Sequence, residues 1–344
     1  MELLKGGGIM AVSDYLKSLQ KDKQTLVDNL VAKGVNATSN ETFTSLVPKI
    51  NDIKSGGDEE LEASFMSSID NSLGANVTKL PSGLTSIGNN AFQSCTNLEL
   101  TELPNDITSI GNSAFYSCSK LALKKLPENV TYIGNNAFYN CDNLALEELP
   151  NGITSIGSNA FQSCEKIQLT ELPDGITSIG NSAFANCTNL ALTKLPSNLT
   201  TLGNECFMNC RNITINEIPS GVTQIGTYCF YDTKKITNLT INGTIKTIPR
   251  YAFYTSGLTE LIINSPVTTI ADNALQHCSN LSKIVFNNIT SVPSLGSTSL
   301  SGTAIASGNG YIYVPDILVD SFKSASNWST YASQIKPISE MEDA

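Results

Sequence analysis

A Leu-Pro step returns at Leu80-Pro81, Leu103-Pro104, Leu126-Pro127, Leu149-Pro150, Leu172-Pro173 and Leu195-Pro196, and again as Ile218-Pro219, each 23 residues after the last. A second register keeps pace with it through Phe92, Phe115, Phe138, Phe161, Phe184, Phe207, Phe230 and Phe253. Leu275 closes that series one residue early, because one residue is missing between Ser256 and Leu258. Each unit reads C-x-x-L-x-L-x-x-L-P-x-x-[IVL]-T-x-I-G-x-x-A-F-x-x, as from Cys95 to Ser117. Leu98, Leu100, Leu103, Ile107, Ile110 and Phe115 need an interior that one such unit cannot enclose. The units must therefore stack, each covering the apolar face of the next. A chain of 344 residues exceeds one ordinary compact core, which agrees with an elongated array.

Within a unit the Leu-Pro step ends one extended segment, because proline has no N–H to give to a ladder. Gly111, after Ile110, is expected to supply a permissive backbone for the next bend. The first six units space their apolar residues as L-x-L-x-x-L, whereas Ile236-Leu239-Ile241 and Leu281-Ile284-Phe286 follow L-x-x-L-x-L, so the curvature is expected to change near residue 235. A degenerate tenth turn is expected from Ile289 to Leu300. Turns stacked at about 4.8 Å make a rod of about 45 Å from about nine turns.

Charged residues are only 15% of the chain against 40% hydrophobic, which suits a packed array with a neutral polar surface rather than disorder. The formal charge of −10 argues against nucleic acid or an anionic membrane as partner, since both need clustered Lys and Arg. No run approaches the roughly 18 apolar residues of a membrane span, so membrane insertion is not expected. Residues 1–10 lack the basic start, apolar core and cleavage site of a secretory signal. Lys5-Gly6-Gly7 is compatible with a bacterial ribosome-binding site ahead of Met10, so this stretch is either a misassigned start or a disordered tail.

Ahead of the repeats, Val12, Tyr15, Leu16, Leu19, Leu26, Val27, Leu30 and Val31 recur at helical spacing, with Ser13 to cap the start and Gly34 to end it. Thr38 with Glu41 forms a capping box for a second short helix that Pro48 stops. Residues 11–52 thus predict a small helical hairpin, and residues 53–60, containing Ser55-Gly56-Gly57-Asp58-Glu59-Glu60, have the composition of a linker. The hairpin is either a self-packed headpiece or a docking and oligomerisation element.

Some residues invite a chemical reading. Cys95, Cys118, Cys141, Cys164, Cys187 and Cys210 fall once per unit, with Cys278 at the same position later. Metal sites favour C-x-x-C or Cys/His pairs, which are missing here; Cys206 and Cys210 come nearest. Thiols stacked one per turn lie farther apart than a disulfide prefers, so buried free thiols are expected, serving as small apolar fillers. His277 is the single histidine and should face away from the core that Cys278 enters, which disfavours catalysis. The carboxylate pairs Glu147-Glu148 and Glu59-Glu60 fall on expected surfaces. Gly6-Gly7-Gly8 and Gly308-Asn309-Gly310 lack the lysine and context of a phosphate loop. No catalytic residue, cofactor or metal is expected.

What remains is the outward face. Thr108, Thr131, Thr154, Thr177, Thr200 and Thr223 form one ladder, consistent with good strand formers on a solvated sheet. Beside a second strand, pairs such as Lys124-Lys125 and Glu147-Glu148 alternate in charge from turn to turn, which also limits repulsion. Tyr116, Tyr139, Tyr231 and Tyr254 follow the core phenylalanines at matching positions, and exposed aromatics are frequent interface anchors. These tyrosines, with Lys124, Lys125, Glu147 and Glu148, make up the candidate binding surface.

The A-F-x-x-C-x-x-L core and the L-P step, over roughly residues 75–300, closely resemble the BspA-like leucine-rich repeats. That resemblance implies a right-handed, β-rich repeat solenoid spanning 61–300, with a C-terminal cap and tail over 301–344 that includes Tyr311-Ile312-Tyr313-Val314-Pro315. It implies a non-catalytic adhesion or interaction protein of the bacterial surface, with a protein or glycan partner. Residues Asp14-Tyr15-Leu16 through Leu46-Val47-Pro48 resemble the helical segment of tail-associated proteins from phages and prophages of Gram-positive bacteria. The alternative is therefore a virion component that uses its repeats to bind a receptor and its helices to assemble.

Overall fold

The computed structural model describes residues 84–341, together with Val27, Asp28, Thr38, Lys79 and Leu80. Apart from Val27, Asp28 and Thr38, the expected helical hairpin at 11–52 lies outside the described residues, as do residues 1–10 and the linker at 53–60.

The array is a parallel β-solenoid. On one side, ten two-residue strands follow the T-x-I-G motif, from Ser86–Ile87 through Ser109–Ile110 to Ser294–Leu295. Each pairs in parallel with the same motif in a neighbouring unit, Ile87 opposite Ile110 and Ile110 opposite Ile133, within three successive sheets. The tenth turn is present: Ser294–Leu295 pairs with Thr269–Ile270. The short unit is accommodated there too, with Thr247 opposite Thr269.

The side carrying the Leu-Pro step behaves differently along the chain. A six-stranded parallel sheet forms there only from Glu217–Ile218 onward, through Asn238–Ile241, Glu260–Ile263, Lys283–Phe286, Tyr311–Val314 and Ile335–Pro337. In the earlier described turns, the extended segment expected beside Leu98 to Leu103 forms no strand, and only isolated backbone bonds join it to its neighbours, such as Ala122 N–H to the Leu100 carbonyl at 3.1 Å. Proline explains this. In the later turns the residue after the strand donates its N–H one turn back, Asn242 to the Ile218 carbonyl at 3.2 Å, Asn264 to Ile241 at 2.9 Å and Asn287 to Ile263 at 3.0 Å. Pro104, Pro127, Pro150, Pro173, Pro196 and Pro219 hold that position in the earlier turns and have no N–H to give. The sheet thus begins at Glu217–Ile218, one turn before the change of apolar pattern near residue 235 at which a change of curvature is expected.

A third connection between turns runs through the A-F segment, where backbone conformations alternate in hand. Ser113 and Ser117 have φ of 54° and 56°, and the N–H groups of Ser113, Phe115 and Ser117 donate to the next turn at 2.7–2.8 Å. The intervening N–H groups of Ala114, Tyr116 and Cys118 turn back within their own unit. Asn and Ser fill most of these left-handed positions, because their short polar side chains tolerate them best. Gly111 serves a different end from the bend expected of it. A Cβ there would stand 2.7 Å from the Asn89 nitrogen of the preceding turn, so glycine permits close approach between turns.

The phenylalanines form a buried spine from Phe92 to Phe253, with ring centroids 5.2–5.7 Å apart. At the C-terminal end Phe286, Phe322 and Trp328 pack together, and the Trp328 indole N–H donates to the Pro293 carbonyl at 2.7 Å. The strand Tyr311–Val314 and the helix Val319–Ser324, which buries Phe322, cover the last turn.

Candidate functional site

The residues with the most chemical potential divide into structural ladders and one surface cluster. All nine cysteines are buried free thiols. Cys118, Cys141, Cys164, Cys187 and Cys210 each donate S–H to the phenylalanine carbonyl of the preceding turn, at 2.9–3.0 Å. Thr233 holds the same position and donates its hydroxyl to the Phe230 carbonyl at 2.8 Å, so this position carries a donor as well as a filler. Burial drives the thiols of Cys141, Cys164, Cys187 and Cys210 well above their ordinary range, and Cys278 is pushed up to about 11 by the same cause. Cys206 and Cys229 occupy the alanine position of the repeat, with their sulfurs 3.2 Å apart. Among the described residues no group of three or more His, Cys, Asp or Glu is arranged to hold a metal ion, and no helix is long and apolar enough to cross a membrane.

The threonine ladder is exposed and sews the turns together: Thr108, Thr131, Thr177, Thr200 and Thr223 donate to the carbonyl one turn back at 2.9–3.4 Å. A second ladder, of asparagines, does the same with side-chain acceptors. Asn112 N–H donates to Asn89 Oδ1 at 2.7 Å and Asn135 N–H to Asn112 Oδ1 at 2.8 Å. Lys124, Lys125, Glu147 and Glu148 are exposed after the L-x-L motif, with Lys124 and Glu147 3.9 Å apart. They belong to a different segment of the turn from the tyrosines.

The four tyrosines fall into two pairs. Tyr116 and Tyr139 stack at 4.7 Å, and Tyr231 and Tyr254 stack at 5.2 Å. Gln162, Ala185 and Met208 take the position between the pairs. Two further residues, Tyr228 and Tyr251, stack on each other at 4.6 Å beside the second pair and convert it into a block of four half-buried rings. His277 is exposed and meets Tyr254 edge-on at 5.4 Å. The Arg250 guanidinium lies 5.5 Å from the Tyr251 centroid. Alongside, Asp232 is buried and bound by Arg211 Nη2 at 2.7 Å and by Lys234, with the Thr255 hydroxyl donating at 3.3 Å. Burial works to raise the Asp232 carboxyl, but hydrogen bonds from Lys234 and Arg211 outweigh it and hold the group below its usual range. Burial and the neighbouring Tyr251 raise the Tyr228 hydroxyl.

Tyr228, Tyr251, Arg211 and Arg250 escape a reading confined to the residue after each core phenylalanine. Their signal is a departure from the repeat's own pattern, since G-N-[NS] before A-F becomes Gly226-Thr227-Tyr228 and then Pro249-Arg250-Tyr251. Tyr228 and Tyr251 stand at φ of 56° and 58°, where the earlier turns use Asn90, Ser113, Asn136, Asn159, Ser182 and Glu205.

No curated protein sequence matches the chain. Among solved structures it is similar to a leucine rich repeat protein of T. pallidum, at 23% identity over 63% of this chain and 87% of that one, with a TM-score of 0.41. It is also similar to a leucine-rich repeat protein from Bacteroides ovatus, at 20% identity over 77% and 93%, TM-score 0.32. A leucine rich cell surface protein from Faecalibacterium prausnitzii shares 21% identity over 74% and 86%, TM-score 0.33. The BspA type leucine rich repeat region matches in six copies over residues 69–191, 124–218 and 200–328. With that match covering most of its length, the chain belongs to the BspA-type leucine-rich-repeat family.

Proposed function

We propose that the chain is a non-catalytic, adhesion-type binding protein that engages a protein or glycan partner through the block of Tyr228, Tyr231, Tyr251 and Tyr254. The observation that carries this reading is the conformation of Tyr228 and Tyr251. An aromatic residue held at positive φ is strained by about 1 kcal/mol or more, and the rest of the array fills this position with Asn, Ser or, once, Glu205, so the fold does not need an aromatic there. Strain of this kind persists where a ligand rather than stability rewards it. Tyrosine suits the task, since it presents a large amphipathic surface with few rotatable bonds. The bacterial-surface setting implied by the family accompanies the reading. So does the division into a helical headpiece at 11–52, a linker at 53–60, an array at 61–300 and a C-terminal cap and tail at 301–344.

Arrays of immobilised glycans and extracellular proteins test the reading when screened with the wild type, with Tyr228→Asn/Tyr251→Asn, and with Tyr116→Ala/Tyr139→Ala. A partner lost in the first variant and kept in the second, with both folded by circular dichroism, supports it. Partners that survive the loss of Tyr228 and Tyr251 overturn it and move attention to Tyr116, Tyr139 and the neighbouring charges Lys124, Lys125, Glu147 and Glu148.

A further inference from the structure

We propose that the tyrosine block takes an acidic segment of a protein partner, with Arg250 as the group that reads its carboxylates; this rests on the binding role given to the block above. The chain carries a formal charge of −10, yet Arg250 and the single histidine, His277, stand against these rings, and its other arginine, Arg211, is bound to Asp232, the residue after Tyr231. Asp232, the carboxylate within the cluster, is already engaged by Arg211, Lys234 and Thr255, so its charge is offset where it sits. Two carboxylates bound the patch: Glu205, one turn before Tyr228, accepts from the Ser182 hydroxyl at 3.1 Å, and Asp272, in register with Arg250 one turn on, accepts from the Ser297 hydroxyl at 3.3 Å. Arg250 is exposed, and among the described residues no carboxylate pairs with it. Its planar fork, positioned over the Tyr251 ring, matches a carboxylate in two-point geometry.

The rings themselves favour a protein over a sugar. Tyr228 with Tyr251 and Tyr231 with Tyr254 stack face to face along the array, and His277 stands against Tyr254. Each stack spends one face of each ring within the block, and Arg250 and His277 stand against Tyr251 and Tyr254, which reduces the ring face open to a pyranose, whereas tyrosine and arginine together are the usual anchors of protein interfaces.

Calorimetric titration of the full chain with an end-blocked oligoglutamate peptide tests the idea, with oligoglutamine and oligogalacturonate as companions. Oligoglutamate is expected to bind and oligoglutamine to fail. Added salt should weaken the complex, and Arg250→Asn, which restores the residue of the repeat, should weaken it by about tenfold or more. Absence of oligoglutamate binding, or equal binding by Arg250→Asn, overturns the proposal. Binding of oligogalacturonate alone overturns it in favour of a carboxylated glycan. A partner from the arrays that needs Tyr228 and Tyr251 but not Arg250 leaves the tyrosine reading standing and removes this one; a partner indifferent to both removes both.

Discussion

Except in the unit that lacks one residue after Ser256, the turns before residue 217 and those after it have the same number of residues between the Cys position and the last apolar residue of the strand side, yet only the later ones build a sheet there. Cys187 to Leu195 and Thr233 to Ile241 span equal lengths. The difference lies in which residues are apolar and in the residue that comes next. In the earlier pattern Thr101 and Glu102 both face solvent, which breaks the two-residue alternation of a strand, and Pro104 removes the next donor. In the later pattern Asn238, Leu239, Thr240 and Ile241 alternate outward and inward, and Asn242 donates. A backbone ladder in a solenoid can therefore be switched on by moving one apolar position and replacing one proline, while the buried Phe stack runs across the change from Phe207 through Phe230 to Phe253.

If the halves differ only on that side, the shared spine should respond alike in both. Phe161, stacked at 5.4 and 5.3 Å, and Phe253, stacked at 5.4 Å, are fully buried. Replacing either by alanine should cost about 3–5 kcal/mol. Hydrogen exchange reads this turn by turn, which suits an array whose units unfold with their neighbours. A cost confined to one half would break the comparison.

The strand side should respond unequally. Asn264→Pro removes the N–H given to Ile241, along with side-chain bonds to Asn242 and from Asn287 at 2.7 and 2.8 Å, in the middle of the six-stranded sheet. A loss of about 3 kcal/mol is expected, seen as faster exchange from Leu239 to Ile263. The reverse change, Pro150→Asn, restores a donor but returns freedom to the unfolded chain, and the two terms of about 1 kcal/mol each should nearly cancel. Strong stabilisation by Pro150→Asn would mean that proline alone suppresses the sheet.

The later turns also hold the strain. Thr255 is β-branched and sits at φ of 54°, where the earlier turns place Ser94, Ser117 and Asn140. Its hydroxyl gains only a 3.3 Å bond to Asp232. Thr255→Asn should therefore raise stability by about 1 kcal/mol in denaturant titrations. A loss instead would assign Thr255 a role in holding Asp232 that outweighs its backbone cost.

Most of the array is legible in the sequence because its core positions repeat: the Phe spine, the inward Leu and Ile residues and the Cys position all follow from a 23-residue period and from the need to cover an apolar face. The thinning of the ladder on the Leu-Pro side of the earlier turns, to bonds such as Ala145 N–H to the Leu123 carbonyl at 3.1 Å and Glu147 N–H to the Lys124 carbonyl at 3.0 Å, is less so, although Pro104 and its equivalents state the reason once the donor is counted. The left-handed backbone at Ser113 and Ser117 leaves a trace in the Asn and Ser preference, but glycine draws the eye to a neighbouring position whose constraint is steric. For the candidate site, Tyr231 and Tyr254 stand out by their place after phenylalanine. Tyr228, Tyr251 and Arg250 do not, since a repeat consensus averages away the departures that make a turn distinct.

The smallest expected effect separates the ionic contacts of the two regions. Asp232 is buried between Arg211 and Lys234, and its folded-state carboxyl is held below the usual range after burial is outweighed by those bonds. Its contribution is then complete above the unfolded value of about 3.9 and is lost as pH falls through the lower folded value. Because Arg211 is 60% exposed, screening limits the gain to less than about 1 kcal/mol. Thermal melts should show the wild type losing more stability than Asp232→Asn between about pH 5 and about pH 2. Lys124 and Glu147, exposed and 3.9 Å apart in the earlier turns, set the contrast, and Glu147→Gln should leave that acid limb unchanged. Equal slopes for wild type and Asp232→Asn would place the acid sensitivity elsewhere and remove the ionic distinction between the two regions.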